Sequence, residues 1–500
     1  MQFTVLMRDG AEIPPRPGAY LVTDSWNDYG FMTLFDLYVR LPERGAPARI
    51  GYVRIAHDSM ERGATFRSAD LLPTRFESLD RGFFSLGQED DYYSSLRTLL
   101  PQGMHVEILS ALNDVAYTPA LSERVSQLGV FQDSLLRDHG PRELRRKQKI
   151  AQGTRRRIVP FKWSYTPPRG GLLPPHTFDF ETKPGSLPTT NLHALIGRNG
   201  VGKSRLLHAI AEEATAGRIA VETSSGGEDN SFTACVVVSF SPFDQLYKPP
   251  PTAVMKFDYI GLRDEDAGGL KSDEQRTREF VDSLKVARIG ARGERWRKAI
   301  STLNYAASGF LDGHMDVIDS MMREGSELRF EEAMSAMFND LSSGHKVVLL
   351  MVTRLIEVVG ERTLVLIDEP ETHLHPPLLS ALTRAISDLV ADRNGMALVA
   401  THSPVVLQEV PASCVWVMIR NGEELTAHRP GLETYGESVG ELTHDAFGLE
   451  VTSSGFHATI AQLVEGGASY EDLVPRFSGL GSEARALLRA MTYAQARRQR

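Results

Sequence analysis

Two cysteines in 500 residues, Cys235 and Cys414, are too few for a disulfide scaffold or a cysteine-ligated zinc site, and both lie in apolar runs. A reducing compartment is expected. Long hydrophobic runs are missing as well: the stretch 347–352 falls far short of the ~20 residues that a membrane span needs. Residues 1–8 show no basic segment leading into an apolar one, so a cytoplasmic chain without a membrane segment is expected. Nor is there an excess of positive charge. At a formal net charge of −9, the chain does not coat nucleic acid over its whole surface, although a local basic patch stays open. No internal repeat, low-complexity tract or sustained heptad is present. What remains is ordinary globular material, 42% hydrophobic and 24% charged with 42 glycines and 27 prolines. At about 100–200 residues per domain, that is room for two or three domains with full cores.

Residues 1–140 read as short strands (3–7, 19–22, 31–40, 50–56) punctuated by Gly, Pro, Asp and Asn clusters, which predicts a small, mostly β N-terminal domain. Within it, residues 90–93 (Asp90, Asp91, Tyr92, Tyr93) fit a surface loop or a contact site. Residues 141–160 form a basic connector. Arg142, Arg145, Arg146, Lys147, Lys149, Arg155, Arg156 and Arg157 face a single acid, Glu143, so the segment is either a solvated link or a patch for phosphate, DNA or an acidic partner. From 191 the chain alternates strand-like and helical runs, the mark of an α/β fold with a mostly parallel sheet. Residues 161–245 and 341–450 are taken as the two parts of this α/β head, 246–340 read as a helical insertion, and 451–500 as a helical C-terminal region.

The chemistry is concentrated in a few short segments. Gly197-Arg198-Asn199-Gly200-Val201-Gly202-Lys203-Ser204 follows an apolar run (192–196) and precedes a helical one that begins at Arg205, which is the strand–loop–helix setting of a P-loop. Its glycines let backbone N–H groups close around phosphates, Lys203 reaches the β- and γ-phosphates, and the Ser204 hydroxyl can ligate Mg2+. A second apolar strand, 364–367, ends in Asp368 and Glu369. In an open α/β sheet, strand ends face the ligand crevice, so Asp368 is placed to hold Mg2+ and Glu369 to activate water. Residues 341–346 (Leu-Ser-Ser-Gly-His-Lys) precede a helix, where Ser342, Ser343 and Gly344 suit either a phosphate or an ordinary cap. Thr401-His402-Ser403-Pro404 follows another strand. Gln245, with Asp244 as its rival, follows the strand around Cys235. His373, His375 and His402 lack a further ligand spaced for zinc, and the residues after His402 lack the carboxylate sets of a metal nuclease.

In this order the segments resemble the ABC-type ATPase heads of the SMC and OLD superfamily. They are most like the ATPase components of bacterial anti-phage systems of Septu, retron-associated or PARIS type, with residues 433–440 and 447–452 similar to a C-terminal element of those ATPases. The resemblance covers roughly residues 159–449. It implies an ABC-type P-loop head with a helical insertion, Walker A at 197–204 with Gly197, Asn199, Gly200, Val201, Gly202, Lys203, Ser204 and Arg205 on ATP, and Walker B at 364–369. It further implies a D-loop at 370–376, a switch histidine at His402, a Q-loop residue at Gln245 and a signature motif at 341–345. That signature reads Ser-Ser-Gly-His where Ser-Gly-Gly-Gln is usual. ATP and Mg2+ follow as ligands, as does a homodimer or higher oligomer in which one subunit's signature completes the other's site. Only 165 positions separate Lys203 from Asp368, too few for long coiled-coil arms. The expected function is an ATPase that senses and regulates a separately encoded nuclease or toxin in antiviral defence. The alternatives are a DNA-repair or DNA-maintenance ATPase that binds nucleic acid through residues 142–157, and a scaffold that binds ATP without turnover.

Overall fold

The computed structural model describes residues 1–498 apart from 8–12, 25–29, 43–46, 62–65, 89, 137–140, 153–158, 169–172, 174–175, 224–230, 242–247, 250–252, 254, 265–267, 289, 306–307, 312, 323–326, 373, 422–423 and 454. Its N-terminal part is a six-stranded sheet in the order Arg75–Phe76, Phe3–Leu6, Gly18–Thr23, Leu34–Arg40, Ala48–His57, Phe83–Gly87. Only the pair Phe3–Leu6 and Gly18–Thr23 is parallel. One face is closed by helices, so Phe35, Val53 and Phe84 share a core with Ile108, Leu109 and Phe131.

Three expectations change here. Tyr92 and Tyr93 are not on a surface loop; each is 1% exposed, inside helix Asp90–Thr98. The N-terminal unit does not end at 140 or stay mostly β, because helix Pro141–Ala151 packs Ile150 and Ala151 into the same core. Lys147 therefore leaves the basic patch. It is 1% exposed and donates to the carbonyls of Gly87 (3.2 Å) and Gln88 (2.7 Å). Arg145 and Lys149 on the same helix are exposed, whereas Arg155, Arg156, Arg157 and the side chains of Arg142 and Arg146 lie outside the described residues.

The second unit is built on a seven-stranded sheet in the order Lys256–Gly261, Ala234–Ser239, Thr363–Asp368, Met396–Thr401, Leu192–Gly197, Val415–Asn421, Glu424–His428, parallel except for the last strand. Both faces are covered, which is why these strands are continuous apolar runs. Period-2 alternation still decides which side chain goes where. Ala194, Ile196, Val365, Ile367 and Val399 face one core, and Leu195, Leu364, Leu366, Leu398 and Ala400 face the other. On the second side helix Lys203–Thr215 shares a core with this sheet and with a small antiparallel one (Phe161–Tyr165, Phe178–Thr182, Glu222–Thr223), whose alternation buries Phe161, Trp163, Phe178 and Phe180.

On the first side lie Ser343–Val358, Pro376–Asp392 and the inserted helices Asp273–Ala287, Gly290–Leu303 and Glu327–Asp340. Phe280, Trp296 and Phe338 belong to the sheet's own core, and buried Trp296 donates to the Thr353 hydroxyl at 3.0 Å. The insertion is not helical from 246 on, since Lys256–Gly261 is a sheet strand. Helix Val439–Ser453 is anchored through Leu442 and Ala446, and the last helices close a small core of Ile460, Val464, Leu473 and Leu488. Among the described residues no helix is long and apolar enough to cross a membrane.

Candidate functional site: a P-loop cleft at the carboxyl edge of the sheet

The loop after Leu192–Gly197 must reverse direction within a few residues, and its glycines permit this. Gly200 and Gly202 take φ of +78° and +109°, and a Cβ on Gly197 would stand 2.3 Å from the Met418 carbonyl oxygen. Helix Lys203–Thr215 starts directly from Gly202, so its N-terminal N–H groups and partial positive charge face the loop. Lys203 is 4% exposed and turns inward, donating to the carbonyls of Gly197 (2.9 Å) and Arg198 (3.1 Å). Burial lowers its pKa, and the carboxylates of Glu369, Asp368 and Glu371 oppose that shift. The loop is thus a preformed anion cradle whose lysine rests on backbone oxygens. A cradle that tolerates no Cβ at Gly197, together with the Ser204 hydroxyl and a buried Asp368 carboxylate as hard oxygen donors, fits a triphosphate with Mg2+.

Strand order assembles the other half. Leu192–Gly197 pairs with Met396–Thr401, which pairs with Thr363–Asp368, and the registers Ile196 to Thr401 and Ala400 to Asp368 bring the strand ends level. Asp368 is 6% exposed. Glu369 then leaves the strand at φ +45°, a left-handed conformation that costs a non-glycine residue about 1–2 kcal/mol. Its backbone is held there from both sides. The Glu369 N–H donates to Ala400 O at 2.9 Å, and the Thr372 hydroxyl donates to Glu369 O at 3.1 Å.

Glu371 was not singled out by the sequence, and it ties the two strand ends together. Its Oε1 accepts from the Thr401 hydroxyl and from the His402 N–H, both at 2.7 Å, and lies 3.0 Å from His402 Nδ1. Glu369 Oε1 is 3.9 Å from the same nitrogen, so the imidazole stands between two carboxylates. The only signal for Glu371 was a third acid within four positions of Asp368. Arg420 had no sequence signal at all. It comes from the strand on the other side of the P-loop and donates twice to Val201 O, at 3.3 Å each. A cleft of 710 Å³ opens over these groups, lined by Arg198, Asn199, Gly200, Val201, His402, Arg420 and Phe447.

The remaining sequence candidates divide. Ser342 is the N-cap of helix Ser343–Val358, its hydroxyl accepting from His345 N–H at 3.4 Å, and Ser342 and Ser343 are exposed outside the cleft lining. His345 stacks edge-on against Phe310 (5.3 Å between ring centroids), and its pKa is lowered by burial and by nearby His375. Arg205 is exposed on the first turn of the P-loop helix. His375 caps helix Pro376–Asp392 through Nδ1, accepting from Leu378 N–H at 3.2 Å. Gln245, Asp244 and His373 lie outside the described residues.

A family model described as "AAA domain, putative AbiEii toxin, Type IV TA system" matches residues 265–408, which take in the acidic strand and His402 but not the P-loop. Over nearly the whole chain, the sequence is 36% identical to Protein ea59 of Escherichia phage lambda, with 98% of each protein covered. The chain belongs to the ea59 family. In this member of the ea59 family the fold is that of an ABC-type P-loop ATPase head with helices inserted between its two halves, preceded by a sheet-based N-terminal unit. Solved ATP-binding cassettes of ABC transporters are similar at low scores. The ADP conformation of one is 12% identical, covers 57% of this chain and 93% of its own, and has a TM-score of 0.28. A subunit from Clostridium perfringens is 16% identical, covers 51% and 83%, and has a TM-score of 0.24. The strand order and the P-loop geometry are what define the fold.

Proposed function

We propose that this ea59-family protein is a cytoplasmic ATP hydrolase whose turnover switches a separately encoded effector. The observation that carries hydrolysis is the convergence of Glu369, Glu371 and His402 at a strand end one strand away from the P-loop. Lys203 and the loop amides hold the triphosphate, Glu369 orients the attacking water and takes its proton, and His402 faces the terminal phosphate. Mg2+, held by Ser204 and Asp368, neutralises charge on the phosphates when bound. Ser342, Ser343 and Gly344 are not among the residues that line the cleft and stand at their own helix N-terminus, with Ser342 and Ser343 exposed. A second copy brings that segment over the nucleotide, giving a head-to-tail homodimer or higher homo-oligomer formed on ATP binding.

Phosphate release by the wild type, compared with Glu369→Gln, tests the chemistry; equal rates would leave only ATP binding. Mixing Lys203→Ala with Gly344→Asp tests the sandwich. Each homodimer is dead, whereas a mixed dimer has one intact site, so recovered activity supports shared sites and no recovery refutes them. The effector role, control of a nuclease or toxin in anti-phage defence, is carried by the resemblance of residues 197–204, 364–369 and 401–404 to the ATPases of such systems. Effector activity of the adjacent gene's product, measured with and without ATP and this chain, checks it. Direct DNA binding is the second reading, favoured by exposed Arg145 and Lys149. Salt-dependent DNA affinity that is lost on charge reversal of those two and of Arg155, Arg156 and Arg157 would establish it.

A further inference from the structure

The last helix, Ser482–Arg498, buries Leu488 in the small C-terminal core and packs Ala484, Leu487 and Met491 against it. It runs beside helix Gly455–Glu465 in the same direction. His457 stands 3.6 Å from Glu483 at one end of the pair, and Gln495 donates to the Glu465 carbonyl at 3.5 Å at the other. These contacts fix which side of the helix is left over. Arg485, Arg489, Tyr493 and Arg497 follow one another at intervals of four, so they form one ridge of the helix, and all four are exposed. The neighbouring ridge is Ala486, Ala490 and Ala494, also exposed, so no long side chain of the helix rises beside the arginines there.

The positive charge on this ridge is uncompensated. Residues 481–500 hold five arginines, no lysine and a single acid, Glu483, which faces His457. Arginines elsewhere on the surface are paired, Arg218 with Glu213 and Arg384 with Asp388. Among the described residues, Arg485, Arg489 and Arg497 take part in no ion pair. Arg485 donates once, to the Leu480 carbonyl at 3.4 Å, while Arg489 and Arg497 lie over the rings of Tyr470 (5.8 Å) and Tyr493 (5.9 Å). Nearly all of their N–H donors are therefore left for an outside acceptor. Tyr493 stands between two of these guanidinium groups with 67% of its surface exposed. Positions four apart on a helix are about 6 Å apart along its axis, a step that suits successive phosphates of an extended nucleic-acid strand. Guanidinium forks grip phosphate oxygens in pairs, and an exposed ring among them offers a face to an unpaired base, which an acidic peptide has no use for. We infer that the ridge of Arg485, Arg489, Tyr493 and Arg497 binds single-stranded nucleic acid, with the arginines on successive phosphates and a base stacked on Tyr493. This site is separate from the basic run 142–157 and does not depend on ATP hydrolysis.

Fluorescence anisotropy on the full chain, with and without Mg2+ and ATP, tests this with oligo-dT, oligo-U, a duplex of the same length and polyglutamate as probes. Tyr493→Ala is expected to weaken oligo-dT roughly 5- to 150-fold, the effect of losing one stacked base, and to leave the duplex and the salt dependence nearly unchanged; Tyr493→Trp retains wild-type affinity. Oligo-U behaves in parallel, because phosphate and base-face contacts do not read the 2′-hydroxyl. Replacing Arg485, Arg489 and Arg497 together by glutamine removes three phosphate contacts. The slope of log affinity against log salt then falls by about 2, so that the loss between about 50 and 200 mM salt is roughly 20-fold smaller than in the wild type. All four side chains are exposed, so these variants melt like the wild type. A wild-type chain that binds oligo-dT in neither nucleotide state, or a triple variant whose affinity and salt slope match the wild type, overturns the site. Polyglutamate bound as tightly as oligo-dT, with Tyr493→Ala indifferent to both, overturns it in favour of an acidic protein partner.

Discussion

Replacing Glu371 with glutamine tests whether this carboxylate orients His402 or merely fills space. The substitution keeps an acceptor oxygen for the Thr401 hydroxyl and the His402 N–H, so the two 2.7 Å hydrogen bonds persist and the fold loses little. What disappears is the negative charge 3.0 Å from His402 Nδ1. For an imidazole protonated on both nitrogens, Coulomb's law at that separation gives about 5–6 kcal/mol at an effective dielectric of 20. The imidazole is 46% exposed, so solvent screening reduces this to roughly 0.2–1 kcal/mol. As the energy that holds the ring toward the terminal phosphate, that is up to about a 5-fold fall in kcat. The affinity for ATP stays unchanged, because Lys203 and the loop amides are untouched. Steady-state phosphate release across pH 6–9, with ATP affinity and thermal melting measured in parallel, is the assay. A Glu371→Gln chain that melts normally and turns over at the wild-type rate at every pH would refute the orienting role. A fall in ATP affinity with kcat preserved would place Glu371 in binding instead.

Four further outcomes follow from the same structure. Lys203→Met is expected to weaken ATP roughly 10- to 150-fold, the equivalent of a charge-assisted hydrogen bond of about 1.5–3 kcal/mol, and to lower the stability of the nucleotide-free chain by about 1–3 kcal/mol, since the Gly197 and Arg198 carbonyls lose their donor; calorimetry and a melting curve decide. Gly197→Ala pushes a methyl group to 2.3 Å from Met418 O and should cost about 1–3 kcal/mol of stability, seen by denaturant titration; a wild-type midpoint would contradict the close approach. His193 is buried in the P-loop strand, and desolvation, with Arg429 adding to it, holds its pKa at about 3, below the ~6.5 of an unfolded chain. The unfolded state therefore takes up the proton first, so this contribution is complete above pH ~6.5 and is lost as pH falls toward 3. The loss by pH 5 is about 2 kcal/mol, and His193→Phe should lack that component in denaturant titrations at pH 8 and 5. Lys147→Met strips two buried carbonyls of their donor and should lower stability by about 1–3 kcal/mol without changing DNA affinity; a selective loss of DNA binding would return Lys147 to the basic patch.

Whatever depends on neighbours along the chain was legible before any fold was known. Eight consecutive residues, 197–204, specify the phosphate cradle, because positive φ, a tight turn and a helix N-terminus are local demands that only certain residue types meet. The apolar runs ending at Asp368 and Thr401 determined a parallel sheet covered on both faces, since such strands have no wet side to mark with polar residues. Tertiary structure alone decided which strand ends meet. Glu371 and His402 are about thirty residues apart, and Arg420 reaches across 219 positions to Val201, so neither pairing leaves a trace in local spacing. It also decided the fate of the basic run at 142–157. Charge along the chain treats Lys147 and Lys149 alike, but a helix turns residues two apart to different sides, and docking the helix on the N-terminal sheet buried one ammonium against two carbonyls and left the other exposed.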